Sequence, residues 1–169
     1  EIKTFVNRFR HTHSSDASWS FSADIIDPIR HFINKYSITN ISDILMVKGD
    51  INGDQKDDIF LTLKRHEFYN GKAGNIWTVY IATSNGYRWI KKLICFRTDV
   101  FLFAVDPKTG KKALFTYHPG GGGGGSYIKI HTNDKGEVQE SVFAKMVNRV
   151  ITNDCIKTRA LARRILTNP

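Results

Sequence analysis

The chain has 169 residues, 41% apolar and 12% aromatic, enough to bury a proper core without disulfide or metal staples. No run approaches the roughly 20 consecutive apolar residues of a membrane-spanning helix, so no such span is expected. The formal charge of +9 favours acidic partners, and composition alone leaves nucleic acid, anionic headgroups and acidic proteins open.

Glu1 opens the chain, with no methionine and no targeting segment. That fits an exported protein relieved of its signal peptide, or a trimmed chain. Residues 2–11 carry Phe5, Val6 and Phe9 at helical spacing, which predicts a short amphipathic helix. His11 to Ser22, rich in Ser and His, reads as a turn region; His11, His13 and Asp16 fit a solvated turn better than a metal cluster. Asp27-Pro28 marks a helix start for the stretch Ile25 to Tyr36. Residues 1–43 are thus expected to form a helical N-terminal segment.

From residue 44 the pattern changes to short alternating or apolar runs separated by turn signals, as in antiparallel strands. Strands are predicted near 44–48, 58–64, 76–83, 87–94, 100–105, 112–117, 127–132 and 138–143. The breakers are Asn-Gly at 52–53, 70–71 and 85–86, Pro107 to Gly110, a run of six glycines, and Asn133 to Gly136. A C-terminal helix is predicted within 150–169, over about 153–166, because Cys155, Leu161, Ala162, Ile165 and Leu166 share one arc. The expected fold is one mainly β domain of the α+β kind. It has two four-stranded, blade-like antiparallel units, at 44–95 and 100–145.

The two units carry the mark of a repeat. Lys-Asp-Asp-Ile-Phe-Leu-Thr-Leu at 56–63 aligns with Gly-Lys-Lys-Ala-Leu-Phe-Thr-Tyr at 110–117. Lys108 and Lys112 then fall where Asp54 and Asp58 stand, so only the first copy offers carboxylates to a divalent cation.

Asp50 to Asp58 reads Asp-Ile-Asn-Gly-Asp-Gln-Lys-Asp-Asp. Calcium takes six to eight oxygens at about 2.3–2.6 Å, so a short loop must turn several inward, and ligands at alternate positions do so. Asp50, Asn52 and Asp54 stand at loop positions one, three and five. Lys56 offers its backbone carbonyl at seven, and Asp58 its carboxylate at nine. Asp57 is out of phase and expected to point outward. Three carboxylates on one short loop repel one another unless a cation sits among them.

This stretch resembles the calcium loops of FG-GAP and VCBS-type repeats, in which Gly-Asp-x-Asn-x-Asp-x-x-x-Asp leads directly into a hydrophobic strand. Here Gly49 to Asp58 precedes Ile59-Phe60-Leu61-Thr62-Leu63. The resemblance implies Ca2+ as cofactor and a β-rich repeat scaffold. Two departures stand out. Gln55 occupies the sixth position, where glycine is preferred, and Leu61 at the twelfth excludes an EF-hand. A second resemblance, to NTF2-like domains, rests on Phe5 to Phe32 as opening helices and on 77–92 as a strand pair; the Asp50–Asp58 loop does not belong to it.

His118-Pro119, Gly120 to Gly125 and Ser126-Tyr127 form the other unusual stretch. No Gly-Lys-Ser/Thr ends it and no helix follows, so it is not a phosphate loop. It reads as a flexible hairpin connection or as a protruding loop that enters a partner's cleft. For the second case the contacts would come from His118, Gly121, Gly122, Gly123, Ser126 and Tyr127. Cys95 and Cys155 either form one disulfide, in an oxidising compartment, or remain two buried thiols. No Cys-x-x-Cys, nucleophile elbow or second carboxylate pair supports catalysis, and no known nucleic-acid motif accompanies Lys91-Lys92, Lys111-Lys112 or Arg159 to Arg164.

The expectation is a periplasmic or secreted, non-enzymatic, calcium-binding interaction module. By analogy it acts as an immunity protein that inhibits a toxin or hydrolase by occluding its active site. An adhesion or carbohydrate-binding module, using an exposed Trp77, Trp89 or Tyr127, is the first alternative. An NTF2-like enzyme or ligand-binding domain is the second.

Overall fold

The computed structural model describes residues 26–147, 150–152, 161 and 164. The helix expected over 2–11, the His11–Ser22 stretch and Cys155 lie outside them.

Helix α1 (Ile26–Lys35) starts as Asp27-Pro28 predicts, with an acid in its first turn. Ile29, Phe32, Ile33 and Tyr36 follow the i, i+3, i+4, i+7 spacing and turn inward. The helix stops at Ser37, which takes a left-handed φ of 49°, while the Ile38 amide donates back to the Ile33 carbonyl at 3.0 Å. That is a Schellman closure with serine in the usual glycine place.

Strands β1 (Ile44–Gly49), β2 (Asp58–Leu63), β3 (Asn75–Thr83) and β4 (Gly86–Phe96) form one antiparallel sheet in chain order. β5 (Phe101–Val105), β6 (Lys112–Pro119), β7 (Gly125–Thr132), β8 (Val138–Val147) and β9 (Val150–Thr152) form the second, also in chain order. All eight expected strands are present. The C-terminal helix expected in 150–169 is not borne out. Val150-Ile151-Thr152, three β-branched residues in a row, instead pair with the end of β8. Among the described residues no helix is long and apolar enough to cross a membrane.

The layers follow from side-chain alternation. On β2, Ile59, Leu61 and Leu63 face α1, whereas Phe60 faces the second sheet. With both faces covered, all six β2 residues are buried, hence the uninterrupted apolar run. Trp77, Val79, Ile94 and Phe96 meet Leu114, Ile130 and Val138 between the sheets. The Trp77 indole stacks on the Phe96 ring at 4.4 Å and donates to the Phe96 carbonyl at 2.9 Å. Phe115, Tyr127 and Phe143 pack on the far face of the second sheet, with Leu161.

The repeat has structural counterparts. Thr62 and Thr116, matched by the sequence alignment, are both fully buried. Each donates its hydroxyl at 2.6 Å to a backbone carbonyl, of Ile76 and Val100 respectively. Each second hairpin also slips register midway, at Trp77/Val79 and at Tyr127/Ile128.

Candidate cation loop and glycine hairpin

The loop begins at Gly49, which pairs with Asp58 across β1 and β2. A Cβ at Gly49 would lie 2.6 Å from the Phe103 ring, so the glycine of Gly-Asp is a packing requirement between sheets. After it the side-chain oxygens of alternate residues accept amides of their own loop in successive Asx turns, with Asp50 buried and Asn52 and Asp54 exposed. Asp50 Oδ1 accepts from the amides of Asn52 at 3.2 Å and Gly53 at 2.6 Å. Asn52 Oδ1 accepts from Asp54 N at 3.0 Å, and Asp54 Oδ1 from Lys56 N at 2.9 Å. Gln55 adopts φ 68°, the left-handed geometry that the sixth loop position demands. For a residue with a Cβ this costs about 1–2 kcal/mol.

Asp58 closes the loop from below. Its Oδ2 accepts from Ile51 N and its Oδ1 from Ala82 N, both at 2.9 Å, which ties the turn to the end of β3. Burial pushes the Asp58 carboxyl up to about 7 against the pull of those two amides, and the charges of Asp54 and Asp50 add to the rise. Asp50 behaves oppositely. Burial would raise it, but a hydrogen bond from the Lys112 ammonium and the amides of Gly53 and Gln55 hold it below its ordinary value. Asp57 points outward as expected, pairing with Lys48 at 2.8 Å. The Lys56 ammonium donates to the Thr83 carbonyl at 3.0 Å.

The side chain that the sequence did not bring to this site is Lys112. Its Nζ stands 3.0 Å from Asp50 Oδ2, across 62 residues of chain and from the opposite sheet. The four oxygen-bearing side chains share one loop. Among the described residues, however, no group of three or more His, Cys, Asp or Glu is arranged to hold a metal ion together. Calcium entry would therefore require Lys112 to withdraw from Asp50.

The second unit repeats the theme in another key. Asp106, the first residue after β5, stands where Asp50 stands after β1. It is fully buried, accepts from Lys108 N at 2.8 Å, and receives the Lys129 ammonium at 2.7 Å. Burial would raise its pKa, but the hydrogen bond and charge of Lys129, the Lys108 amide and Thr109 together outweigh it and hold the carboxyl low. The Lys108 ammonium turns away to the Phe143 carbonyl. An Asp at the first position past the strand is the sequence signal that links the two loops.

The glycine run is an ordered hairpin turn. Gly120 N donates to the Gly124 carbonyl at 2.8 Å, and Gly124 N to the Gly121 carbonyl at 3.2 Å. Gly122 and Gly123 take φ of 63° and 78°, which glycine adopts at little cost. Tyr117 explains the run's end: its hydroxyl donates to the Gly124 carbonyl at 3.1 Å, and its ring fills the space a Cβ at Gly125 would need. Gly121, Gly122 and Gly123 are exposed, and Ser126 is half-buried. His118, also half-buried, lies 3.3 Å by Nε2 from the Cys95 carbonyl. Tyr127 is fully buried against Tyr117, so its side chain serves the core, not the hairpin tip. Its hydroxyl is buried without a partner among the described residues.

Trp77 is likewise fully buried, and Trp89 lies under Lys35, whose Nζ is 4.6 Å from the ring, and beside His31. The flat aromatic platform that sugar binding needs is not built from these three residues. No protein-family model, no curated protein and no solved structure matches this chain, so the functional reading rests on its own residues.

Proposed function

We propose that the chain is a non-catalytic, exported binding module whose first loop takes one calcium ion and whose glycine hairpin engages a protein partner. The observation that carries the reading is the train of Asx turns over Asp50, Asn52 and Asp54, with Gln55 held left-handed at the sixth position. A loop would not hold that strained geometry for a simple strand connection, which two or three turn residues accomplish. Calcium would be held by Asp50, Asn52, Asp54 and Asp58 with the Lys56 carbonyl. Bound there, it supplies two positive charges to a loop whose Asp50 and Asp57 face Lys112 and Lys48 and whose Asp54 has no ion pair among the described residues.

The hairpin tip suits a cleft because three consecutive exposed glycines let backbone approach a partner closely. A basic inhibitor or immunity protein that plugs an enzyme fits this profile by analogy. Thermal melting of the whole chain tests the cation half. Millimolar calcium should raise Tm by several degrees over chelator, as binding to the native state alone requires. Identical melting in both would sink the cation reading. Capture of the partner by the wild type, lost on replacing Gly121–Gly123 by Ala-Pro-Ala, tests the other half.

A further inference from the structure

The two sheets leave a groove along one flank, an open cleft of about 530 Å³ between β4 and the start of β8. Three cations line it: Arg88, Lys91 and Lys92. The single acid on its rim, Glu137, accepts from Asn133 Nδ2 at 2.7 Å within its own turn. Arg88 spends one nitrogen on the Gly136 carbonyl at 2.9 Å. Lys91 and Lys92 are exposed and form no ion pair among the described residues.

The backbone is open there too. β4 is the last strand of its sheet, and its pairing with β3 jumps from Ile90 to Ile94, so Lys91-Lys92-Leu93 bulge outside the ladder. On the other wall, β9 pairs only with Lys145–Val147, which leaves β8 from Val138 to Ala144 without an outer neighbour among the described residues. Edge lysines commonly deter strand pairing. Here they accompany two open edges, a bulge that re-aims side chains, and a floor that includes Ile90 and Val138.

We infer that this groove docks an extended acidic protein segment, which lies between the open edges of β4 and β8 with its carboxylates on Arg88, Lys91 and Lys92. Main-chain pairing would supply affinity and the three cations selectivity and steering. Trp89 also lines the groove, but single-stranded nucleic acid is disfavoured because its ring is already engaged by the Lys35 ammonium at 4.6 Å and by His31 at 4.9 Å. The inference extends the binding-module reading to a second surface. Its failure would leave the calcium loop untouched.

The test is fluorescence anisotropy of the full chain with a labelled alternating Glu-Val decapeptide, against a dT decanucleotide. The wild type should bind the peptide. Lys91→Gln with Lys92→Gln should weaken it about tenfold or more, while Lys64→Gln, the same charge change outside the groove, leaves it within twofold. Unchanged circular dichroism of the exposed-site variants certifies their folding. Absence of peptide binding, equal weakening by Lys64→Gln, or tighter binding of the oligonucleotide that the double variant abolishes would each overturn the inference.

Discussion

The two strand-connecting loops, Asp50–Asp57 and Asp106–Lys111, solve one problem with different means. Each opens with a buried aspartate whose first oxygen caps the turn and whose second receives a lysine ammonium. In the second unit that lysine, Lys129, comes from β7 of the same sheet and is itself largely buried at 16% exposure, so the pair is complete. In the first unit Lys112 comes from the other sheet, remains 45% exposed and makes its ion pair with Asp50. A largely buried lysine thus completes one loop, whereas the other pairs Asp50 with a half-exposed lysine, and it is there that we propose a free cation. The difference teaches that a buried aspartate just past a strand can be matched by a lysine of its own sheet or by one of the facing sheet.

The sharpest way to break this comparison is Asp106→Ala. It strands a largely buried ammonium, and we expect a loss of about 3–5 kcal/mol, or roughly 10 °C in Tm, equal with and without calcium. Thermal denaturation in both buffers measures it.

Asp58 gives the next largest effect. Its pKa is raised on folding, so the folded state holds the proton more tightly than the unfolded chain, whose carboxyl titrates near 4. Its contribution is therefore full below that value and is lost as pH rises through about 7. In chelator, Tm should fall by roughly 5–10 °C between pH 5 and 8. Calcium, by favouring the carboxylate, should flatten that slope, and Asp58→Asn should remove it. A pH-melting series in both buffers decides.

Lys112→Met gives the smallest effect on stability and the most selective one on binding. The half-exposed pair should cost about 1 kcal/mol or less in chelator. Removing a competing cation from Asp50 should tighten calcium severalfold. Unchanged affinity would mean that Lys112 does not contest the site.

Much of the fold was legible because glycine, asparagine and proline punctuate it so regularly. Asn85-Gly86 and the Asn133–Gly136 turn, for example, mark hairpins by their need for unusual φ. The helical arc of Leu161 and Ile165 outweighed the β-branched run Val150-Ile151-Thr152, because three residues are too few to show a period. In the loop, alternate oxygens singled out Asp50, Asn52 and Asp54, which the structure joins in Asx turns, and Asp58, which closes the loop, while Gln55 announced its own strain. Lys112 could not be found that way, since a contact across 62 residues follows from the stacking of two sheets. Tyr127 was misplaced for a related reason. Beside a glycine run it reads as surface, yet the outer layer of Phe115, Phe143 and Leu161 covers it.

Calorimetric titration of calcium into the whole chain tests the asymmetry between the loops most directly. One calcium bound per chain, abolished by Asp54→Ala and retained in Lys129→Met, is the result these loops predict. Two ions per chain, or no heat of binding at millimolar calcium, would contradict it.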